Sequence, residues 1–316
     1  FENTNQKILY LASMELNTEK KVSQHILLKA YNHMMLAKAM ADIYEENRNI
    51  TKYVHSTSRG HEAIQLATAY HLKNSDWVSP YYRDESMLLG MGFEPYQLML
   101  QLLAKSNDPF SGGRSYYSHP SNLDENYPKI IHQSSATGMQ AIPTTGVAQG
   151  LKYIQEFNLK NFNENPVVVC SLGDNSVTEG EVSEAFQFAA LHQLPIIFLV
   201  QDNEWGISVT KEEARTSDAY DFAAGFVGLN RMRIDGTDFI DSFEAMKKAF
   251  EFVRNERKPI LVCAKTVLIG HHTSGVRREF YRTEENLEKH RAKDPGNILR
   301  NYLLEDGVEE ELLKQI

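Results

Sequence analysis

The sequence predicts an α/β protein: a doubly wound parallel sheet flanked by helices, with a helical extension at the N-terminus. Three observations carry this. Val167–Leu172 and Ile196–Val200 are short, β-branched and apolar throughout, as strands covered on both faces must be. Between them, Glu179–His192 places Val182, Ala185, Phe186 and Ala189 on one helical face, so the three segments form a βαβ unit with a right-handed crossover. The alternation then continues through a strand at Met232–Ile234, a helix at Ser242–Asn255 and a strand at Ile260–Leu268.

The remaining elements follow in order. Lys20–Asn47 is rich in Leu, Ala, Met, Lys and Glu, lacks Gly and Pro, and predicts one long helix. Arg59-Gly60-His61-Glu62 precedes a helix at Ala63–Leu72, and Arg83–Leu103 is helical with a break near Gly90 and Gly92. Residues 106–138 carry Ser, Asn, Gly, Pro, Tyr and His without periodicity, and a loop of that length is often functional. Pro143–Phe157 resumes as a helix, and Thr178 and Glu181 have the spacing of a capping box opening the helix that follows. The chain of 316 residues is read as a single domain, with 1–60 as a mostly helical extension and 106–138 and 270–282 as active-site loops.

Composition narrows the function. With 33 Lys and Arg against 42 Asp and Glu, a net charge of −9 argues against nucleic acid as a partner. The longest apolar runs are about seven residues, far short of the ~20 a membrane span needs. The two cysteines, Cys170 and Cys263, sit in apolar runs and read as buried free thiols of a reducing compartment. The start shows neither a basic signal region nor an Arg-rich transit pattern, and it lacks an initiator Met, so a trimmed N-terminus is expected.

The chemistry concentrates where the first two strands end. One runs into Gly173-Asp174-Asn175-Ser176 and the other into Gln201-Asp202-Asn203-Glu204-Trp205. Parallel strands joined by a crossover end on the same sheet edge, where ligands bind. Asp174 and Asn203 lie 203 − 174 = 29 residues apart, one strand–helix–strand circuit, so both reach one small volume. A carboxylate and an amide oxygen are hard ligands suited to Mg²⁺. The helix opening near Glu179 adds free N–H groups for a phosphate. Neither GxGxxG nor GxxxxGK[ST] occurs, which argues against a common dinucleotide fold and a P-loop.

These residues carry a resemblance. Gly173–Glu181 through Gln201–Ser208 is similar to the thiamine diphosphate motif. Glu184–Ala190, Leu194–Val200, Tyr81–Glu85 upstream, and Ile269–Ser274 and Asp294–Arg300 downstream occur in the order found in α subunits of 2-oxo acid dehydrogenases, the branched-chain (2-oxoisovalerate) type above all. The resemblance, which runs from about Lys20 to the C-terminus, implies the thiamine diphosphate-binding fold, with thiamine diphosphate and Mg²⁺ as cofactors. It implies that Asp174, Asn203 and the Trp205 carbonyl ligate Mg²⁺. Arg83 would bind the diphosphate, with its neighbour Tyr82 and Gly173, Asp174, Asn175, Ser176, Gln201 and Asn203 as further cofactor-binding residues. Ser135 and Thr137 would touch the aminopyrimidine, and His272 and His119 would be the catalytic histidines, His272 also contacting the diphosphate. Of the adjacent His271 and His272, only one is expected in the site, since neighbours point opposite ways.

This chain departs from the family pattern at several positions. Trp205 stands where the family has Tyr, a change that a backbone ligand tolerates. Gln201 stands where branched-chain members have a phosphate-binding Arg. Asn175 replaces a glycine. Asp202 replaces an asparagine, and so has to point away from a diphosphate or pair with a cation. Arg277 and Arg278 are candidates to steer an acidic lipoyl domain. The resemblance further implies a β subunit, or a fused β half, that completes the active site in an α2β2 assembly, and a lipoyl acyltransferase component as acyl acceptor. A pyruvate or acetoin dehydrogenase α subunit, and a degenerate chain with a structural role, stay open as alternatives. A bacterial cytoplasm is the default location, with a mitochondrial matrix open.

Overall fold

Strands with apolar side chains on both faces require two cores, and the chain builds both. The computed structural model describes residues 22–131, 134–160, 162 and 164–316. In chain order the strands are β1 (Trp77–Ser79), β2 (Lys129–Ile130), β3 (Val168–Gly173), β4 (Ile196–Asp202), β5 (Trp205–Gly206), β6 (Val209–Thr210), β7 (Asn230–Asp235) and β8 (Ile260–Lys265). Six of them form one sheet in the order β2-β1-β3-β4-β8-β7, every pairing parallel, while β5 and β6 make a small antiparallel hairpin.

Alternation of side chains along the strands divides the interior. Val167, Val169, Ile197, Leu199, Val262 and Ala264 face one core with helices Gln24–Glu46, Glu62–His71, Glu85–Gly90 and Phe239–Glu256. Val168, Cys170, Leu172, Ile196, Phe198, Val200 and Cys263 face the other with helices Ala141–Glu156 and Gly180–His192. Both cysteines are free and buried, and burial pushes the thiols up to about 12 at Cys170 and about 11 at Cys263, which leaves them unreactive.

Most predicted elements recur with shifted ends. The first helix starts after Ser23, whose hydroxyl accepts from the Ile26 amide, and Lys20 lies outside the described residues. The stretch after Arg83 is two helices, Glu85–Gly90 and Pro95–Leu102. The capping box at Thr178 and Glu181 does not form. Asp174–Thr178 winds as a 3-10 turn first, Thr178 donates its hydroxyl to the Asn175 carbonyl (2.8 Å), and Glu179 becomes the N-cap. Two strands and the hairpin were not foreseen. At three residues or fewer each, β1, β2, β5 and β6 are too short to leave a hydrophobic pattern.

The sheet's outer edge is guarded. Along β7, Arg231 and Arg233 stand over the ring of Tyr220 at 4.4 and 4.5 Å, and Arg233 pairs with Asp218 and Asp221.

At the opposite end of the sheet from the site, Asp76 is fully buried and joins three elements. Its Oδ1 accepts from the Val167 amide (2.8 Å) and from Arg254 (2.9 Å); its Oδ2 accepts from the Lys73 amide (2.8 Å) and again from Arg254 (2.7 Å). Asp76→Ala removes one half of a buried pair and strands two amides, which lowers stability by about 3–5 kcal/mol. The check is a fall in urea midpoint at an unchanged slope.

Candidate active site

Strand order sets where a site can form. From β1 the chain steps outward to β2 and then returns across the sheet to β3, so the topological switch lies between β1 and β3, with a crevice at their carboxyl ends. The residues after β1 are Tyr81, Tyr82 and Arg83; those after β3 are Asp174–Thr178; those after β4 begin at Asn203. A cavity of about 370 Å³ opens there.

Eleven of the sequence-selected residues line this one cavity: Tyr82, His119, Ser135, Thr137, Gly173, Asp174, Asn175, Ser176, Asn203, Trp205 and His272. Two others, Arg83 and Gln201, lie behind its wall. Val54, His55, Ser56, Tyr116, Tyr117 and Ile207 are also part of the lining and were not singled out from sequence.

Asp174 is 3% exposed. Its Oδ2 accepts from Arg215 (2.8 Å), and among the described residues no N–H or O–H donates to Oδ1. Burial and the neighbouring Asp202 carboxyl push Asp174 above the ordinary carboxylate range, against the pull of Arg215. Asn203 is oriented by both ends of its amide: Oδ1 accepts from the Trp205 amide (3.0 Å), and Nδ2 donates to His61 Nε2 (3.1 Å). His61 accepts there because its other nitrogen donates to Gln201 Oε1 (2.9 Å), and burial lowers this imidazole to about 3, so it stays neutral. The Trp205 ring is fixed by the Arg282 guanidinium 5.0 Å from its centre.

Gln201 turns away from the cavity. It is fully buried, accepts from His61 and from Gln65 (2.9 Å), and donates to Asp84 (2.6 Å) and Ser171 (2.9 Å). The expected cofactor contact is therefore replaced by a relay that orients His61 and, through it, Asn203. Asp202 meets its stated condition. It is fully buried and pairs with Arg215 (2.6 Å) and with Lys265; burial acts to raise its carboxyl, but the two cations outweigh that and hold it below the ordinary range. Asn175 lies so close over Gly206 that a Cβ there would sit 1.6 Å from its amide nitrogen, so a larger residue at 206 would have to displace the Asn175 side chain.

Arg83 is 1% exposed and has no carboxylate within ion-pair distance among the described residues. One guanidinium nitrogen donates to the His272 carbonyl (3.0 Å), and the buried Nε has no partner. An uncompensated buried cation beside a cavity is a demand for an anion. His272 accepts from the Ile207 amide at Nδ1 (3.2 Å), so Nε2 carries the proton, which faces the Tyr82 hydroxyl (3.2 Å). Burial, Arg83 and His61 lower His272 to about 2, and the ring is neutral. His271 turns the other way, toward Glu45 and Glu279, as expected for adjacent residues. His119 is held by its Nδ1 against the Tyr117 carbonyl (2.8 Å). Arg277 pairs with both carboxylate oxygens of Glu45, and Arg278 donates to the Ile269 carbonyl.

Beneath the cavity wall, Tyr117 donates to Glu85, Tyr44 bonds the same hydroxyl (3.0 Å), and the second Glu85 oxygen has no partner. Burial pushes Glu85 from the ordinary 4.5 up to about 8, against the pull of both hydroxyls. The folded state thus holds a proton the unfolded state has released, and stability from this group is lost as pH rises from 4.5 through about 8. Glu85→Gln removes that slope. Its melting temperature should match the parent at pH 5 and exceed it by about 5 °C at pH 9.

The fold and its crevice define the class: a doubly wound α/β chain whose switch-point crevice brings Asp174 and Asn203 beside a buried arginine that has no carboxylate partner among the described residues. A family model described as "Dehydrogenase E1 component" matches residues 31–316, and the chain belongs to that family. It is 28% identical over 289 residues to the mitochondrial 2-oxoisovalerate dehydrogenase subunit alpha 2 of Arabidopsis thaliana, covering 91% of this chain and 59% of that protein. The 2-oxoisovalerate dehydrogenase subunit alpha of Bacillus subtilis is 28% identical over 90% of this chain and 84% of its own length. The pyruvate dehydrogenase E1 component subunit alpha of Mycoplasma genitalium is 30% identical over 81% and 67%. Among the described residues no helix is long and apolar enough to cross a membrane.

Proposed function

We propose that this chain is the α subunit, or α half, of a 2-oxo acid dehydrogenase that binds thiamine diphosphate through Mg²⁺. The carrying observation is the buried, counter-ion-free Arg83 beside the cavity in which Asp174 and Asn203 converge. The residues present fit the cofactor. An undonated Asp174 oxygen, the Asn203 amide oxygen and the Trp205 carbonyl would hold the metal; Arg83, with the proton on His272 Nε2, would meet the diphosphate; the orphaned buried Asn175 Oδ1 waits for a donor in the same cavity. Ser135 and Thr137 line the wall where the aminopyrimidine would lie.

When bound, thiamine diphosphate supplies the nucleophilic carbon and the electron sink that let a 2-oxo acid lose CO₂. The chain's own work is to anchor charge and to orient. Asp174 and Arg83 neutralise the metal–diphosphate pair in a water-poor site, where such contacts are strongest. His272, neutral and pinned through Ile207 and Tyr82, offers a proton from Nε2. His119, held by its Nδ1 at the Tyr117 carbonyl, lines the same cavity.

Val54, Tyr116, Tyr117 and Ile207 add apolar surface suited to a branched acyl chain, which favours 3-methyl-2-oxobutanoate over pyruvate. A β subunit or β half would complete the site, a lipoyl group on an acyltransferase component would take the acyl group, and the assembly would be α2β2. The test co-expresses the chain with a β subunit and compares decarboxylation of 3-methyl-2-oxobutanoate, pyruvate and acetoin. Turnover that requires the β chain supports the reading. No turnover, and no heat on titration with thiamine diphosphate and Mg²⁺, overturns it in favour of a structural α-like chain.

A further inference from the structure

Segment 203–215 leaves the tip of β4, turns through the β5–β6 hairpin and takes one helical turn at Lys211–Ala214. Thr210 caps that turn, donating both its amide (2.9 Å) and its hydroxyl (3.0 Å) to Glu213. Lys211 closes the neck of the excursion, its amide donating to the Glu204 carbonyl (3.0 Å) and its ammonium pairing with the Glu204 carboxylate. At the far end Arg215 reaches back. Its side chain is 8% exposed; Nη1 pairs with Asp174 Oδ2 at 2.8 Å and Nη2 with Asp202 Oδ1 at 2.6 Å. One planar fork therefore ties the tip of β3 to the tip of β4 and shuts the loop that carries Asn203 and Trp205.

We infer that Arg215 is a positioning residue for the metal–diphosphate site: it turns one Asp174 oxygen away so that the other faces the cavity, and it pins the loop that brings Asn203 and Trp205 beside it. The inference rests on the function proposed above. Lysine cannot do the same work, because a single ammonium lacks the fork that spans two carboxylates. Two effects of removing Arg215 oppose each other. Losing a cation makes the site more negative, which by itself attracts Mg²⁺. It also leaves the Asp174 and Asp202 carboxyls facing each other in a buried place, and it unlatches the loop. The second effect wins for the metal–diphosphate pair, because the diphosphate brings negative charge of its own and gains nothing from a more negative wall.

The test uses the full-length protein with whatever subunit co-purifies. Thiamine diphosphate is titrated calorimetrically at fixed Mg²⁺, and amide hydrogen exchange across 203–215 is followed in the cofactor-free protein. Arg215→Met should weaken binding by about 10- to 100-fold, the factor carried by a charge-assisted hydrogen bond, and should speed exchange in that segment. Arg215→Lys should recover part of the affinity, and it carries the comparison if the methionine variant does not fold. Wild-type affinity or wild-type exchange in the variants overturns the positioning role. Failure of the parent protein to take up the cofactor overturns the functional reading itself, while the exchange arm still reports whether Arg215 holds the loop.

Discussion

Asp174→Ala should abolish Mg²⁺-dependent binding of thiamine diphosphate and lower 2-oxo acid turnover by more than about 100-fold, beyond the 10- to 100-fold that changes around a metal's outer shell usually cost. The fold should survive. Arg215 keeps Asp202 as a partner at 2.6 Å, so no buried cation is stranded when Asp174 is lost. Asn203→Ala removes a neutral ligand and also frees His61 Nε2; it should weaken binding less than Asp174→Ala does. Calorimetric titration of each variant in the presence of Mg²⁺ checks the order. Unchanged metal dependence in Asp174→Ala would refute the assignment of this cavity.

Arg83→Met should separate binding from stability. In the cofactor-free protein Arg83 is a buried charge without a counter-ion, and replacing such a charge by an apolar side chain of similar length is often neutral or stabilising. The variant's melting temperature without cofactor should therefore equal or exceed the parent's. The parent should gain several degrees with thiamine diphosphate and Mg²⁺ present, as any ligand of the native state produces, and the variant should gain none. A drop in the cofactor-free melting temperature with the cofactor-induced gain intact would mean that Arg83 is a structural residue that binds no anion.

How far the sequence carries these arguments depends on the kind of pattern each feature leaves. Strands β3, β4 and β8 are visible because two cores demand apolar residues at every position. The first helix is visible because nothing in it breaks a helix. Strand β1 is three residues of no particular pattern, yet it sets the switch point and delivers Arg83. Asp174 and Asn203 are legible as oxygen ligands one crossover apart. The residues behind them are not. His61 sits in Arg59-Gly60-His61-Glu62, whose charges suggest solvent, although His61 and Glu62 are fully buried. Arg215 ends a Lys-Glu-Glu-Ala-Arg run that reads as an exposed helical turn, and only the returning loop reveals that it reaches both strand tips. Gln201 misleads in the opposite direction: a strand-end position suggests ligand contact, while its amide is consumed by four neighbours underneath.

The arginines along β7 have a consequence for assembly. A strand left open at the margin of a sheet invites another chain to zip onto its backbone, and charged side chains in that position discourage it. Here the guanidiniums of Arg231 and Arg233 lie over the Tyr220 ring and that of Arg233 is salt-linked to Asp218 and Asp221, while the opposite margin, β2, offers only two residues of ladder. Growth by strand addition is thus closed on one flank and starved on the other. That arrangement favours helices and loops over strand edges as the grip for a companion polypeptide.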